Sequence, residues 1–199
     1  MKKLLALLAS AIVSFSVHAA DFKEGVNYKV LDFQKAEHPQ VVEYFSFYCS
    51  HCLAFEKLFK SMEKDLPSDV QFEKRSISFI GREMGVPVSK AYAMMKVLGN
   101  DHELVPEMFR KIQRSDKPLR SEAELREWFI EHGVSKTVFD ATYNSEKVLT
   151  LQRSYDEGFR KARLTAVPGF IINNKYQIIL GSFKNYEEFL ELVEYLLDK

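Results

Sequence analysis

Residues 45–57 read FSFYCSHCLAFEK and contain both cysteines of this 199-residue chain, Cys49 and Cys52. The preceding residues 40–47 (QVVEYFSF) are rich in valine and aromatic residues, a composition typical of a strand. From Cys49 onward, apolar residues recur at helical spacing until a Leu-Pro pair at 66–67 ends the pattern. The sequence therefore predicts that both thiols lie where a strand ends and a helix begins.

The spacing of the two cysteines favours a reversible disulfide. Positions i and i+3 at a helix start bring two sulfur atoms close enough to bond. The ring closed by this bond is so short that it adds little stability. Cys49 lies near the helix N-terminus, where the helix dipole and the charge of His51 favour a thiolate. A stabilised thiolate favours the reduced pair, which makes the disulfide a strong oxidant, and Cys52 is then the more buried, resolving thiol.

The N-terminus predicts export. Lys2 and Lys3 precede an apolar run over 4–15, which is too short to span a bilayer, and small residues follow it. We interpret 1–19 as a secretory signal that is removed after Ala19. The chain has 28 basic and 28 acidic residues, and loss of the two lysines leaves a small acidic excess. This charge balance gives no reason to expect a nucleic-acid partner.

Five segments have strand character: 28–32, 40–47, 70–80, 169–172 and 175–180. Helical patterns cover 91–98, 104–112, 121–132, 135–143, 146–161 and 185–197. Ser121 and Glu124 predict a capping box at the start of the 121–132 helix, and Gly133 predicts its end. Asn173 and Asn174 predict a tight hairpin, because asparagine tolerates positive φ angles. The order of elements predicts an α/β sheet unit with a parallel strand pair, interrupted by a block of helices.

A structural zinc site is the main alternative for the cysteine pair. Such a site needs four ligands, and after the signal the chain offers only four histidines besides the two cysteines. None of these histidines follows the H-x3-5-H pattern. We therefore expect no metal and no other cofactor, while a metal- or peptide-binding module without turnover stays the alternative from a different functional class.

Three motifs carry a resemblance to a known family: FSFYCSHCLAFE, the Ala-Val-Pro at 166–168, and KYQIILGSF after the hairpin. The chain resembles the DsbA-type thiol:disulfide oxidoreductases of the thioredoxin superfamily. The resemblance implies a thioredoxin fold interrupted by an inserted all-helical domain. It assigns 20–80 and 165–199 to the thioredoxin-like domain and 81–164 to the inserted domain.

The resemblance also implies a function. Such proteins reside in the bacterial periplasm, donate their disulfide to newly exported, reduced polypeptides, and are reoxidised by a DsbB-type inner-membrane quinone reductase. A disulfide isomerase or reductase is the alternative within the same chemistry. Only eight residues separate the expected signal from Tyr28, which leaves no room for the dimerisation domain of periplasmic isomerases. We therefore expect a monomeric dithiol oxidase.

By the same resemblance, Cys49 is the accessible nucleophile and Cys52 its buried partner. Pro168 matches a cis-proline that faces the disulfide, and together with Val167 it exposes backbone for the substrate chain.

Three charged residues also match family positions beneath the cysteines. Glu43 resembles a buried carboxylate, and Glu56 and Lys74 resemble its charged neighbours, with an expected role in moving protons to and from Cys52. The alternative for all three is a solvent-exposed side chain, with Glu43 on an edge strand.

Ser50 departs from the family pattern, which has proline at this position. Serine restores a backbone donor and adds a hydroxyl that proline lacks, and it loses the rigidity that proline gives to a first helical turn. These effects oppose one another, so the sequence leaves open how strongly oxidising the pair is.

Overall fold

The computed structural model describes residues 21–199, and the predicted signal at 1–19 lies outside the described residues. Five strands form one mixed sheet: β1 (Tyr28–Val30), β2 (Gln40–Phe45), β3 (Gln71–Ser76), β4 (Gly169–Ile172) and β5 (Tyr176–Ile178). Their order across the sheet is β1-β5-β4-β2-β3.

The pair β2 and β3 is parallel, as predicted, and the remaining neighbours are antiparallel. Helix α1 (Ser50–Asp65) makes the crossover between β2 and β3. In the parallel register Glu43 on β2 lies beside Lys74 on β3. Strand β2 lies between β4 and β3, so the alternative that Glu43 lies on an edge strand is wrong.

Six further α-helices follow in chain order: α2 (Gly85–Leu98), α3 (Asp101–Gln113), α4 (Glu122–Glu131), α5 (Lys136–Thr142), α6 (Glu146–Lys161) and α7 (Tyr186–Asp198). A short 3-10 helix, Arg82–Met84, precedes α2. None of the helices formed by residues 21–199 is long and apolar enough to cross a membrane.

The two predicted boundaries that differ most from the structure do so for identifiable reasons. Helix α2 begins six residues before the predicted position, because Pro87 lies in its first turn, where the missing N–H has no helical partner to lose. Strand β3 ends at Ser76 rather than at residue 80. The backbone N–H of Ser78 instead donates to a carboxylate oxygen of Asp156 on α6 at 3.0 Å, so a helix takes over the role of the sheet partner.

The predicted turn and cap signals are confirmed. Asn173 and Asn174 have φ angles of 50° and 55° and connect β4 to β5. The hydroxyl of Ser121 accepts a hydrogen bond from the N–H of Glu124 at 3.1 Å at the start of α4, and Gly133 has a positive φ directly beyond its end.

The buried apolar residues connect the sheet to the helical segment. Phe45 and Cys52 belong to the same buried cluster as Met94 on α2 and Phe109 on α3. A second cluster packs α1 and α7 against one face of the sheet, and a third includes residues of β2, β4 and α6. The division into domains at 80/81 and 164/165 stays a prediction, and the continuous cluster shows that packing crosses it.

Gly158 on α6 is required by close packing rather than by backbone conformation. A Cβ at this position would meet the hydroxyl of Tyr44 well inside contact distance. That hydroxyl is held by a hydrogen bond from Arg75 at 2.8 Å, and the Tyr44 side chain is buried.

We expect Gly158→Ala to destabilise the protein by about 1–3 kcal/mol, since overpacking a filled site costs this much. An open helical site would respond oppositely, because alanine is favoured over glycine there by about 1 kcal/mol. Thermal unfolding of Tyr44→Phe and of the Tyr44→Phe/Gly158→Ala double variant provides the control. Loss of the Tyr44 hydroxyl should remove most of the destabilisation caused by Gly158→Ala. A Gly158→Ala variant that is more stable than wild type would contradict the packing argument.

Candidate active site

Cys49 is the N-cap residue of α1, with extended backbone angles (φ −96°, ψ 115°). Its sulfur accepts a hydrogen bond from the N–H of Cys52 at 3.3 Å. Its own N–H donates to the carbonyl of Ser46 at 3.0 Å, which closes the turn between β2 and α1. The reactive sulfur therefore occupies the position at which free helix N–H groups converge.

The two thiols have opposite electrostatic environments. A hydrogen bond from the Cys52 thiol lowers the pKa of Cys49 to about 6 against the opposing effect of burial, with help from the N–H groups of Cys52 and His51 and the charge of His51. The hydrogen bond to Cys49, together with complete burial, raises the pKa of Cys52. At neutral pH the reduced pair therefore consists of a Cys49 thiolate and a Cys52 thiol.

The loop before β4 lies against the reactive sulfur. The Val167-Pro168 peptide bond is cis, as the resemblance implies. The Cys49 sulfur lies 3.4 Å from the carbonyl oxygen of Val167, to which the thiol form donates. This contact brings the backbone of the loop within reach of any chain bonded to Cys49, and the substrate-binding role of Val167 and Pro168 stays a prediction.

A buried charge cluster lies beneath the thiols. The Lys74 ammonium lies 2.9 Å from a carboxylate oxygen of Glu43 and also pairs with the carboxylate of Glu56. The exposed fractions of the three side chains are 13%, 0% and 13%. The alternative that these residues are solvent-exposed is therefore wrong, and the structure brings all three together.

Burial determines the protonation of Glu43. Complete desolvation raises its pKa to about 7, although Lys74 opposes the shift. Burial lowers the pKa of Lys74, but the two carboxylates outweigh this effect, so the net shift is upward. The charge of Glu43 also raises the pKa of Cys52. A carboxyl that titrates near neutral pH thus interacts electrostatically with the buried thiol.

Gln113, the last residue of α3, belongs to the site although no sequence pattern predicts it. Its side-chain amide donates to the carbonyl of Phe47 at 2.6 Å and to the carbonyl of Cys49 at 3.0 Å. These bonds join the helical segment to the turn that carries the nucleophile. One glutamine in an amphipathic helix follows no motif, so no signal in the sequence identifies it.

Ser50 and His51 are both exposed at the start of α1. Within the described part of the chain, the Ser50 hydroxyl makes no hydrogen bond, so it does not stabilise the thiolate by direct contact. Residues 21–199 contain no group of three or more His, Cys, Asp or Glu side chains that could hold a metal ion.

Comparison with known proteins gives one consistent result. The family model for the DSBA-like thioredoxin domain matches residues 40–192. The "Thiol:disulfide interchange protein DsbA" of Dickeya dadantii is 32% identical, and the match covers 100% of both chains.

Solved structures agree with the sequence matches. A DsbA from Klebsiella pneumoniae superposes with a TM-score of 0.79 at 27% identity, covering 91% of this chain and 100% of that one. A DsbA from Proteus mirabilis, solved with a non-covalently bound peptide, has a TM-score of 0.79 at 31% identity, covering 90% and 100%. The predicted fold, a thioredoxin fold with a helical insertion, is confirmed.

We expect His51→Gln to raise the pKa of Cys49 above about 6, because the substitution removes a positive charge beside the thiolate. Ser50→Ala is the matched control and should leave this pKa unchanged. The ultraviolet absorbance of the thiolate, followed against pH in the reduced proteins, reports both values. The depressed pKa also stabilises the reduced fold above the ordinary thiol pKa, and this contribution is lost as the pH falls through about 6. Identical titrations of wild type and His51→Gln would contradict the assignment.

Proposed function

The chain belongs to the DsbA-like family of thioredoxin-fold thiol:disulfide oxidoreductases, and we propose that it donates its Cys49–Cys52 disulfide to newly exported polypeptides. The observation that carries this proposal is the asymmetry of the pair. Cys49 is half-buried at a helix start with a pKa near 6, whereas Cys52 is fully buried with a raised pKa. Because the reduced state contains a stabilised thiolate, the oxidised state readily gives up its disulfide.

The proposed reaction consists of two thiol–disulfide exchanges. A substrate thiolate attacks the sulfur of Cys49, the Cys49–Cys52 bond breaks, and Cys52 leaves and takes up a proton. A second substrate thiolate then attacks the substrate sulfur of the mixed disulfide, and Cys49 leaves as a thiolate. The substrate loses two electrons and the cysteine pair gains them, so the protein ends reduced. Attack on Cys49 is favoured over attack on Cys52 because only Cys49 is accessible.

Glu43, Glu56 and Lys74 are proposed to serve the proton balance of Cys52. A buried thiolate is a poor leaving group, so its departure requires a nearby proton donor. Glu43 has a pKa of about 7 and interacts electrostatically with Cys52. Lys74 bridges Glu43 to Glu56, whose side chain is partly exposed, and so connects the buried carboxyl toward solvent.

The proposed setting is the periplasm. The signal-like residues 1–19 support export, and oxidising compartments are where disulfide donors act. We propose a monomer whose reduced form is reoxidised by a DsbB-type inner-membrane partner, with quinone as the electron acceptor. The Proteus mirabilis relative was solved with a bound peptide, which supports a polypeptide substrate for this chain.

We expect one molecule of the oxidised protein to convert one molecule of a reduced two-cysteine peptide to its disulfide. Mass spectrometry of the peptide measures this conversion. Reduced Cys52→Ser, mixed with the disulfide form of the peptide, should form a mixed disulfide, because the Cys49 thiolate attacks one peptide sulfur, the peptide disulfide breaks, and the other peptide sulfur leaves and takes up a proton. Cys49→Ser should form no such adduct, because the remaining thiol is buried. A reduced protein that holds one zinc or copper ion per chain at the cysteines, and oxidises no peptide, would instead support the metal-binding alternative.

We expect Glu43→Gln to slow peptide oxidation at neutral pH by roughly 10²-fold, the lower end of the contribution of proton transfer, and to remove an inflection near pH 7 from the rate profile. Glu63→Gln is the control, because Glu63 is an exposed carboxylate on α1, the helix that carries the thiol pair.

Stability provides a second measurement for this variant. The pKa of Glu43 is raised in the fold, so the carboxyl favours folding below its ordinary pKa, and this contribution is lost as the pH rises through about 7. The stability of Glu43→Gln should not show this decrease as the pH rises through about 7. A variant that changes only the stability profile and keeps the wild-type rate profile would rule out the proton-transfer role.

A further inference from the structure

We propose that the groove between α1 and α3 binds an acidic segment of the polypeptide that is oxidised at Cys49. This inference rests on the proposed function and deepens it by naming a substrate class. The groove has a volume of about 560 Å³. Its lining consists of four basic residues, one acidic residue and two apolar residues: Lys57, Lys60, Arg110, Arg114, Glu56, Leu53 and Pro106.

The groove begins one helical turn from Cys49. The N–H of Leu53, which lines the groove, donates to the carbonyl of Cys49 at 3.2 Å. The amide of Gln113, the residue before Arg114, donates to the same carbonyl at 3.0 Å. Along α1, Lys57 and Lys60 lie roughly 12 and 16 Å beyond Cys49 at 1.5 Å per residue. An extended peptide bonded to Cys49 covers that distance with about four or five residues.

The positive charge of the groove is not neutralised within the described chain. Lys57, Lys60 and Arg114 are exposed, and none of them forms a salt bridge with any residue of 21–199. Arg110 is exposed and pairs only with Glu107 on its own helix, at 2.5 Å, and ion pairs at the protein surface are weak.

The acidic residue of the lining does not change this balance. Glu56 is engaged by Lys74 beneath the groove. The whole chain carries equal numbers of acidic and basic residues, so the excess of basic residues along the groove is a local feature of the surface.

The shape favours a polypeptide over a membrane surface or a single anion. Two cations come from α1 on one wall, and the other wall has Arg110 of α3 and Arg114 directly after that helix. Leu53 and Pro106 add apolar surface between them, which suits the aliphatic parts of a peptide. Charges distributed along both walls complement a row of acidic side chains, whereas a single phosphate needs donors that converge on one point.

The test uses two peptides that contain the same two cysteines and differ only in one flank, with four Glu residues or four Gln residues. Oxidation of each peptide by the oxidised protein is followed at low and high ionic strength. We expect the Glu peptide to react about tenfold faster at low salt, as in electrostatically steered association, and the advantage to disappear at high salt. Lys57→Glu/Arg114→Glu should reverse the preference. Lys136→Glu/Lys147→Glu, which changes exposed cations away from the groove, should preserve it.

A binding measurement separates this inference from the proposed function. Fluorescence anisotropy with serine versions of both peptides reports the groove even where no oxidation occurs. Binding of the Glu peptide without oxidation of either peptide would support the groove and overturn the oxidase. Oxidation of both peptides at equal rates, with equal binding, would overturn the groove alone. Co-sedimentation with phosphatidylglycerol vesicles tests the membrane alternative. If Lys57→Glu/Arg114→Glu abolishes vesicle binding and the two peptides react at equal rates, the cations serve a lipid surface. That result would also overturn the peptide-binding role of the groove.

Discussion

The hydrogen bond from the N–H of Cys52 to the sulfur of Cys49 is the interaction on which the site depends. It makes Cys49 the N-cap of α1, so the group that caps the helix is also the proposed nucleophile. An N-cap acceptor is most favourable when it is negatively charged, because the free N–H groups and the helix dipole point at it. The reduced protein therefore has a better-capped helix than the oxidised one, and this cap adds to the effect of the Cys52 thiol in stabilising the thiolate.

A second constraint is the burial of Cys52. The same packing that places this thiol among Phe45 and the helices α2 and α3 also removes the water that would protonate it. Strand β2 supplies Glu43, and the parallel register of β3 places Lys74 beside it. The ion pair holds the carboxylate in an apolar core, while desolvation keeps its pKa near neutrality. Burial thus creates the need for a proton donor and also tunes Glu43, the donor proposed for this role.

Local signals were sufficient to predict much of this protein. The strand-to-helix junction, the cysteine spacing, the asparagine hairpin and the cap at Ser121 each depend on neighbours within about four residues, and each is confirmed. Features that depend on distant parts of the chain were not predicted. The end of β3 depends on Asp156, and the hold on the Cys49 carbonyl depends on Gln113, 64 residues away. No periodicity or motif encodes such contacts, because only tertiary packing brings the partners together.

The helical insertion is therefore part of the site rather than an addition to it. Gln113 fixes two carbonyls of the active-site turn, and α3 forms one wall of the basic groove next to it. The buried cluster that encloses Cys52 continues through α2 and α3. A change in the position of α3 would consequently alter the turn geometry and the groove together. The thiol pair lies at the strand–helix junction, whereas the proposed substrate preference depends on exposed charges along α1 and α3 that the thiol exchange does not use.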